Sequence, residues 1–537
     1  MLNIALGQVH CWVGDIEGNC QKILDALHQS YSEGADLVLF PELTLTGYPP
    51  EDLLYRPDLY DRVDAARARI LAEMPAIDAM VGLPTKTHQG IFNSLAWLSH
   101  GEEKKRYHKQ SLPNYGVFDE KRYFIEGDKS CVIQVKGHSL GVLICEDIWH
   151  EQPGQAAKDA GAELLLVANA SPYHSKKTAM RHRIIESKAK ALNVPVVYVN
   201  HSCGQDELLF DGQSLAINEL GHTVYQAPAF EPDLTKVRFD GKTISCDTES
   251  NPSMDSLAEI YKGLVCSVRD YVLRNGFEGA VLGLSGGIDS ALTLAIAGDA
   301  LGKERVQAVM MPFRYTSEMS IADASEQARL MGVEYEAVSI EPIFDAFSSQ
   351  LEPMFAGTEK DTTEENLQAR SRGVILMAIS NKRRRMVLTT GNKSEMAVGY
   401  ATLYGDMCGG FAVLKDVPKT MVYALSNYRN TLGRIIPERV ITRPPSAELA
   451  PGQVDQDSLP DYDDLDDMIE RYVELDESLA DIVAAGYDEN VVRRVIRLID
   501  INEYKRRQSA VGPRITPRGF AKDRRYPICS GFGRQNW

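Results

Sequence analysis

The N-terminal half of the sequence carries three residue types whose chemistry is complementary. Cys145 ends the apolar run GVLIC and is followed by two carboxylates, Glu146 and Asp147. Glu42 comes after the apolar run DLVLF and a proline, and Lys109 precedes a Pro-Asn-Tyr-Gly turn. An ammonium group favours a thiolate, a carboxylate can take the thiol proton, and the ammonium with a backbone N–H can stabilise an oxyanion. Taken singly, each could be an ordinary core or surface residue, but together they can carry out amide hydrolysis without a histidine.

The C-terminal half contains a glycine-rich turn, GLSGGIDS, at residues 283–290. An apolar run at residues 280–282 precedes it and an apolar-periodic segment follows, so the pattern predicts strand, turn and helix. Such a turn directs backbone N–H groups and the positive end of a helix toward one point, which suits a phosphate. No lysine follows the glycines, so this is not a GxxxxGK[ST] loop, and Asp289 is a hard oxygen ligand suited to Mg²⁺. The N–H and hydroxyl donors are those of Ser285, Gly286, Gly287 and Ser290.

A second strand end in this half also presents polar groups. The apolar run at residues 386–388 ends in Thr389-Thr390-Gly391, and an α/β sheet presents its ligand groups at such ends. Glu395 lies one helical turn further on, and we expect it to join Asp289 at a metal ion. Every histidine lies at or before His222, so the C-terminal half lacks the usual general base. Its chemistry must therefore rely on metal ions, lysines and backbone dipoles.

The elements that position these residues follow from the apolar periodicity. The first half alternates short apolar strands with helical patterns at 18–32, 155–161 and 176–192, which predicts a mixed α/β sandwich. The second half begins with a predicted helix at 255–275 and continues strand, helix (320–332) and strand. This alternation predicts a doubly wound parallel sheet.

Length and composition agree with two or more domains. The chain has 537 residues, and the polar, turn-rich stretch at 231–254 is the predicted boundary. The formal net charge of −17 argues against a nucleic-acid or membrane-surface binder. The first residues, MLNIALGQVH, are typical of a strand, so we expect no signal peptide, and no apolar run is long enough to span a bilayer. Nine scattered cysteines without a CxxC pair indicate a reducing compartment, and we expect a cytoplasmic protein.

The segments FPEL…GYPPEDLL, YHKQSLPNYGVFDE and GVLICEDIW, in this order, resemble the nitrilase/amidase superfamily. They are most similar to the glutaminase domain of glutamine-dependent NAD synthetases, over residues 1–245. The resemblance implies a nitrilase-like α-β-β-α sandwich with Cys145 as nucleophile, Glu42 as general base and Lys109 as the cation beside the oxyanion. It also implies residues that hold glutamine, namely Tyr115, Ser171 and Lys177.

The segment SGGIDS is similar to the pyrophosphatase loop of ligases that cleave ATP to AMP and pyrophosphate. Together with TEENLQARSRG, GNKSEMAVGY and EYKRRQSAVGPRITPRGF, it resembles the synthetase domain of NAD synthetases. The resemblance covers residues 255–537 after a linker at 246–254, and it implies a Rossmann-like sheet of the adenine-nucleotide α-hydrolase type. The implied metal is Mg²⁺ on Asp289 and Glu395. The implied ATP residues are Gly283, Leu284, Ser285, Gly286, Gly287, Ile288, Asp289, Ser290, Thr390, Lys419 and Ser446. The implied deamido-NAD residues are Asn366, Glu395, Tyr504 and Lys505.

The resemblance implies a complete reaction. ATP converts the carboxylate of deamido-NAD to an acyl-adenylate, and ammonia released from L-glutamine then gives NAD and AMP. Ammonia is mostly protonated in neutral water, so we expect a closed passage between the two sites. The resemblance implies a homo-oligomer, with a dimer through the synthetase domain and larger assemblies when the glutaminase domain is attached. Leu403 departs from the pattern, because the short ammonia-dependent relatives carry a lysine there.

Three other functions compete with this one. Other amidotransferases with an ATP-pyrophosphatase domain need either a cysteine directly after the initiator Met, whereas residue 2 is Leu, or a Cys-His pair absent from CEDIW. A glutamine sensor with an inactive ligase half could have lost any member of the set Cys145, Glu42, Lys109, Asp289 and Glu395, which is intact here. A plain nitrilase with a structural C-terminal half does not account for SGGIDS and GNKSE.

Overall fold

The structure is a computed structural model that describes residues 1–251, 254–446, 448–450 and 459–531. It divides into two compact units, Met1–Met254 and Asp255–Trp537. Part of the predicted linker, residues 252 and 253, lies outside the described residues, and so do residues 447, 451–458 and 532–537 of the predicted synthetase domain. No helix in the described part of the chain combines the length and the apolarity that crossing a membrane requires.

The first unit contains the predicted alternation of strands and helices. Its strands in the described residues are β1 (Leu2–Leu6), β2 (Leu37–Leu39), β3 (Asp78–Lys86), β4 (Ile91–Ser99), β5 (Glu102–His108), β6 (Val132–Val135), β7 (His138–Ile144), β8 (Leu164–Asn169), β9 (Val196–Asn200), β10 (Ser202–Gln205), β11 (Leu208–Asp211), β12 (Leu215–Ile217), β13 (Thr223–Gln226), β14 (Lys236–Phe239) and β15 (Ile244–Cys246). Its α-helices there are α1 (Ile16–Ser32), α2 (Pro57–Glu73), α3 (Glu151–Asp159) and α4 (Lys177–Leu192).

Two sheets form the centre of this unit. One has the order β15-β14-β1-β2-β3-β4-β5 and the other β13-β12-β9-β8-β7-β6, while β10 and β11 form a separate hairpin. Buried side chains of both sheets, such as Ile4 and Leu39 of the first and Val142 and Leu166 of the second, share one apolar cluster. Successive residues of a strand point to opposite faces, so the sheets pack face to face through these residues.

Helices cover the outer face of each sheet. Val38 of β2 packs with Ile23 of α1 and Val63 of α2 in a second cluster. On the other side, Val167 of β8 packs with Ile185 of α4 in a third. All of β8 is buried, because both faces of its sheet are covered. The result is the α-β-β-α sandwich that the sequence predicts, and the predicted fold class is confirmed.

The second unit combines a small sheet with many helices. Its strands in the described residues are β16 (Gly279–Gly283), β17 (Val306–Met310), β18 (Glu334–Ala337), β19 (Arg385–Thr389) and β20 (Phe411–Ala412). Its α-helices there are α5 (Ser256–Arg274), α6 (Ile288–Leu301), α7 (Glu318–Met331), α8 (Glu341–Leu351), α9 (Thr362–Arg383), α10 (Lys393–Val398), α11 (Lys419–Thr431), α12 (Glu438–Thr442), α13 (Tyr462–Ile469), α14 (Leu479–Ala484), α15 (Glu489–Ile501) and α16 (Glu503–Arg506).

The sheet of the second unit is parallel, with the order β18-β17-β16-β19-β20. The chain proceeds from β16 outward to β18 and then returns to the other side of β16 at β19. Ligands of such sheets bind where the order reverses, outside the carboxyl ends of the strands. The glycine turn after β16 and the segment after β19 therefore meet at this switch point. A helical layer that includes α13 and α15 packs against α10, which begins just after β19.

Candidate active sites

Glu42, Lys109 and Cys145 come together in the first unit, each just after a strand. All three side chains are buried, with exposed fractions of 1%, 1% and 3%. The Lys109 ammonium lies 2.6 Å from Glu42 Oε1. The charges of Glu42 and Lys109 both act on the Cys145 thiol, so the three groups form one electrostatic cluster.

The general-base candidate is held by several donors. Asn93 Nδ2 donates to Glu42 Oε1 at 2.7 Å, and the backbone N–H of Ala170 donates to Oε2 at 3.0 Å. His201 Nε2 donates to the Glu42 carbonyl oxygen at 2.7 Å. These contacts fix both carboxylate oxygens and the backbone, so Glu42 is positioned before any substrate arrives.

A second carboxylate, Glu120, completes the cluster and was missed from the sequence. Its Oε1 accepts hydrogen bonds from Lys109 Nζ at 2.9 Å and from the Tyr48 hydroxyl at 2.8 Å. Its only sequence signal is its position in NYGVFDE, the segment that also carries Tyr115. The ammonium of Lys109 therefore lies between two carboxylates and is held in place by both.

Burial and charge set the protonation states. Burial raises the pKa of the Cys145 thiol well above its ordinary value, and the Glu42 carboxylate raises it further, while Lys109 opposes this. The thiol is therefore protonated at rest and needs a base. Burial alone would lower the pKa of Lys109, but Glu120 and Glu42 raise it well above its ordinary value. Burial raises the pKa of Glu120 to about 7, against the opposing effect of Lys109.

The backbone at Cys145 is strained. Its φ is +45°, in the left-handed region that non-glycine residues rarely adopt. A short 3₁₀ turn, Cys145–Trp149, begins at Cys145 directly after β7. A sharp turn between a strand and a helical segment is a recurring setting for a nucleophile.

The three glutamine-binding candidates lie around this turn. The Tyr115 hydroxyl donates to both oxygens of Glu146, at 3.1 Å each, and Lys177 Nζ lies 4.0 Å from the centroid of the Trp149 ring. Ser171 follows β8, the parallel neighbour of β7. Tyr115 is 55% exposed, and Ser171 is buried. Two candidates therefore contact the turn at Cys145–Trp149, and the third lies at the adjacent strand end.

The glycine turn of the second unit is shaped by its own residues. Gly286 has φ +81°, and a side chain there would approach the Ser320 carbonyl oxygen to 2.4 Å, so only glycine fits. Ser290 Oγ donates to the Gly287 carbonyl oxygen at 2.9 Å and accepts from the Ser285 backbone N–H at 3.2 Å. The turn is thus rigid and leads directly into α6.

Nearly all of the residues predicted to bind ATP line one cavity. Gly286 is the only candidate that does not line it, and it lies within the same turn. The lining candidates are Gly283, Leu284, Ser285, Gly287, Ile288, Asp289, Ser290, Thr390, Lys419 and Ser446, together with Glu395.

The two predicted metal ligands converge on one positive charge. Lys419 Nζ lies 2.6 Å from Asp289 Oδ2 and 3.2 Å from Glu395 Oε1. Asn392 Nδ2 donates to Asp289 Oδ1 at 2.8 Å, and Asn392 Oδ1 accepts from the Glu395 backbone N–H at 3.0 Å. Mg²⁺ is typically held by one or two carboxylates with phosphate oxygens, and this pair beside a phosphate-type turn fits that pattern.

Hydrogen bonds connect the backbone at Lys419 to the neighbouring helices α10 and α13. Its backbone N–H donates to Ser394 Oγ at 2.9 Å, and Ser394 Oγ in turn donates to Asp466 of α13. Asp466 also accepts from the backbone N–H of Thr420 at 2.9 Å. The side chain of Lys419 is therefore presented from a fixed backbone.

The remaining deamido-NAD candidates are not among the residues that line the cavity. Asn366 Oδ1 accepts from the Thr402 hydroxyl at 2.9 Å, and Thr402 is a lining residue. Lys505 Nζ donates to the carbonyl oxygens of Gly399 and Ala401, at 2.7 and 2.9 Å. Burial lowers the pKa of Lys505. Tyr504 is 43% exposed.

Other cavity residues were missed from the sequence. Arg372 lies in the segment TEENLQARSRG but received no role, and burial lowers its pKa to about 10. Its Nε donates to the Met311 carbonyl oxygen at 3.0 Å. Glu448 had no sequence signal, and it accepts from the hydroxyls of Ser317 at 2.9 Å and Ser320 at 2.8 Å. Its partners are distant in sequence, so only the fold reveals them.

Comparison with known proteins identifies the family to which each half of the chain belongs. The carbon-nitrogen hydrolase family model matches residues 3–246, and the NAD synthase family model matches residues 260–509. The chain therefore joins a carbon-nitrogen hydrolase domain to an NAD synthase domain. It is 52% identical to the glutamine-dependent NAD(+) synthetase of Acinetobacter baylyi, over 98% of both chains. It is 48% identical to that of Xanthomonas campestris, over 99% of this chain and 98% of the relative. The chain belongs to the glutamine-dependent NAD(+) synthetase family.

Solved structures give the same result. The glutamine-dependent NAD⁺ synthetase of Acinetobacter baumannii, in complex with adenosine diphosphate, is 49% identical with a TM-score of 0.81, over 98% of each chain. A glutamine-dependent NAD(+) synthetase of Cytophaga hutchinsonii is 21% identical with a TM-score of 0.85, over 99% of this chain and 98% of that one. At that identity, the second match speaks for the fold alone.

Proposed function

We propose that this protein converts deamido-NAD to NAD by ATP-dependent amidation, with ammonia that it releases from L-glutamine. The observation that carries the proposal is that one chain holds both sets of reacting groups. Lys109 pairs with Glu42 beside the buried Cys145, and Lys419 joins Asp289 and Glu395 beside a phosphate-type turn. Family membership at about half identity over the full chain supports the same reaction.

The first site hydrolyses the glutamine amide. Glu42 takes the proton of the Cys145 thiol as sulfur attacks the amide carbon, and Lys109 with a backbone N–H stabilises the oxyanion. The C–N bond breaks, and the nitrogen leaves as ammonia with the proton returned by Glu42. Water, activated by Glu42, then attacks the thioester and releases glutamate and the thiol. The buried Lys109 stays protonated throughout, because the carboxylates of Glu120 and Glu42 raise its pKa.

Glutamine is held by groups around the nucleophile turn. We assign Tyr115, Ser171 and Lys177 to this role. The contacts of Tyr115 with Glu146 and of Lys177 with the Trp149 ring support the assignment, since both partners belong to the turn that begins at the nucleophile.

The second site activates the nicotinate carboxylate. A carboxylate oxygen of deamido-NAD attacks the α-phosphorus of ATP, and the bond to the β-phosphate breaks. Pyrophosphate leaves into the glycine turn, whose N–H and hydroxyl donors bind it together with Thr390, Lys419 and Ser446. Ammonia then attacks the acyl-adenylate carbon and AMP departs. The described complex of the Acinetobacter baumannii relative with adenosine diphosphate supports an adenine nucleotide as ligand.

Asp289 and Glu395 would hold Mg²⁺, which supplies positive charge against the phosphates. Asn392 orients both carboxylates, through its side-chain amide and its role as the N-cap of α10. Lys419 would contribute a second positive charge beside them. We assign the deamido-NAD contacts to Asn366, Glu395, Tyr504 and Lys505.

We assign residues 1–245 to the glutaminase domain, 246–254 to the linker and 255–537 to the synthetase domain. The spans matched by the two family models support these assignments. A closed ammonia passage, a homo-oligomer and a cytoplasmic location stay predictions from the sequence.

A donor comparison tests the function. NAD formation is followed with ATP, Mg²⁺ and deamido-NAD, with either glutamine or ammonium, in the wild type and in Cys145→Ala. We expect the variant to lose the glutamine reaction and keep the ammonium reaction. Cys131→Ala is the matched control, because Cys131 is buried in the same apolar cluster as Cys145 without being part of the site. A wild type that makes no NAD from either donor contradicts the proposal.

A further inference from the structure

The second carboxylate after the nucleophile, Asp147, has no role in the mechanism above, yet it is fully buried and accepts four hydrogen bonds. Asp147 Oδ1 accepts from the backbone N–H groups of Gln110 at 3.0 Å and Ser111 at 2.8 Å. Asp147 Oδ2 accepts from the backbone N–H of Ile144 at 3.0 Å and from the hydroxyl of Tyr107 at 2.8 Å. A carboxylate has four such acceptor positions, so this one is fully used.

The donors flank both catalytic groups. Gln110 directly follows Lys109, and Ile144 directly precedes Cys145. The strands that end at these points, β5 and β7, belong to different sheets. No ladder of backbone hydrogen bonds therefore sets the distance between the ammonium and the thiol. The carboxylate of Asp147 links the two sheets, because it accepts hydrogen bonds from Tyr107 of β5 and from Ile144 of β7.

The same carboxylate holds the strained backbone of the nucleophile. The backbone N–H of Ile144, the residue before the turn, donates a hydrogen bond to Asp147 Oδ2. This bond caps the start of the 3₁₀ turn that begins at Cys145. A positive φ at a non-glycine residue persists only when surrounding contacts enforce it. Without this bond, the turn would be free to relax and to move the thiol.

We propose that Asp147 is a positioning residue of the glutaminase. It fixes the ammonium of Lys109 relative to the thiol of Cys145 by accepting hydrogen bonds from the backbone N–H groups of the residues next to them, Gln110 and Ile144. It touches neither substrate nor reacting atoms and acts through these two residues. This inference rests on the proposed function, since it concerns the rate of glutamine hydrolysis.

The test uses Asp147→Asn in the full chain, because asparagine keeps the shape of the side chain. One oxygen becomes an NH₂ group, which can only donate and would face at least one backbone N–H. Misplacement of reacting groups by about 1 Å costs about a hundredfold in rate. We therefore expect kcat with glutamine to fall about tenfold to hundredfold, with KM for glutamine changed less than about threefold. The ammonium reaction should be unchanged.

Two further measurements separate positioning from simple destabilisation. The rate of Cys145 alkylation by iodoacetamide, read by mass spectrometry, should fall in the variant, and this readout needs no substrate. Asp240→Asn is the matched control, because Asp240 also accepts from two backbone N–H groups, at 2.9 and 2.8 Å, in an exposed turn of the same unit. It should leave the glutamine and ammonium rates unchanged.

The outcomes are decisive in each direction. Selective loss of the glutamine kcat, with slower alkylation, supports the proposal. A glutamine kcat within about twofold of the wild type, or an equal loss with both donors, overturns it. If Asp147→Asn does not fold, Tyr107→Phe removes one of the four bonds. It should lower the glutamine kcat about threefold, and an unchanged value overturns the proposal. A wild type without glutamine-dependent synthesis would instead refute the proposed function.

Discussion

Lys109→Met should destabilise the first unit and abolish glutamine use. The ammonium lies between Glu42 and Glu120, at 2.6 and 2.9 Å, and none of its side chain is exposed. Removing one partner of a buried ion pair typically costs about 3–5 kcal/mol, because it leaves uncompensated charge, and here two carboxylates lose their cation. The oxyanion also loses its cation, so we expect the glutamine reaction to fall at least about a hundredfold. The ammonium reaction should persist.

The destabilisation should depend on pH with a defined sign. Burial already raises the pKa of Glu120 from its ordinary 4.5 to about 7, and Lys109 opposes that rise, so its loss raises the pKa further. A folded state with a raised carboxyl pKa binds a proton that the unfolded chain does not. Its stability therefore grows as the pH falls through the folded pKa. The gap between Lys109→Met and the wild type should be wider at about pH 9 than at about pH 6.5.

Urea denaturation followed by tryptophan fluorescence measures this gap. Three of the four tryptophans, Trp12, Trp97 and Trp149, lie in the first unit, so the signal reports mainly on its unfolding. Lys136→Met is the control, because Lys136 forms a 2.5 Å pair with Asp36 in which the lysine side chain is 58% exposed. Such a pair contributes about 0–1 kcal/mol. The reasoning is refuted if both variants lose the same free energy of unfolding, or if the loss in Lys109→Met does not vary with pH.

Three further predictions concern the other buried polar groups. Asn392→Ala removes the amide that orients the two metal-ligand candidates. We expect the Mg²⁺ concentration for half-maximal NAD synthesis to rise about tenfold. An unchanged Mg²⁺ concentration would contradict this prediction. Lys419→Met should raise KM for ATP at least about tenfold, because the ammonium would bind a phosphate. The rate of glutamine hydrolysis measured without ATP should not change. If ATP use and glutamine hydrolysis are impaired equally, Lys419 does not have a phosphate-binding role. Arg181→Met breaks the fully buried ion pair with Asp211 and should lower the free energy of unfolding, measured by urea denaturation, by about 3–5 kcal/mol. The control Arg238→Met breaks an exposed pair and should lower it by less than about 1 kcal/mol. Similar losses in the two variants would contradict the prediction.

The helices predicted from apolar periodicity are close to those observed. The pattern at 176–192 corresponds to Lys177–Leu192, and the pattern at 255–275 to Ser256–Arg274. The pattern at 155–161 is displaced, since the helix spans Glu151–Asp159. Periodicity locates the face that must be buried, while helix ends depend on caps and turns.

The sequence by itself determined where the chemistry lies along the chain. Strand-end polar residues and a glycine turn are local patterns, so Cys145 and Asp289 could be named as candidates without a structure. Only the tertiary structure showed the further partners of these residues. Lys419 joins Asp289 across 130 residues, and Glu120 and Asp147 gain their partners from sheets and loops packed around Cys145. The physical reason is that a side chain's type follows from the sequence, whereas its partners and its pKa follow from burial beside groups that folding brings near.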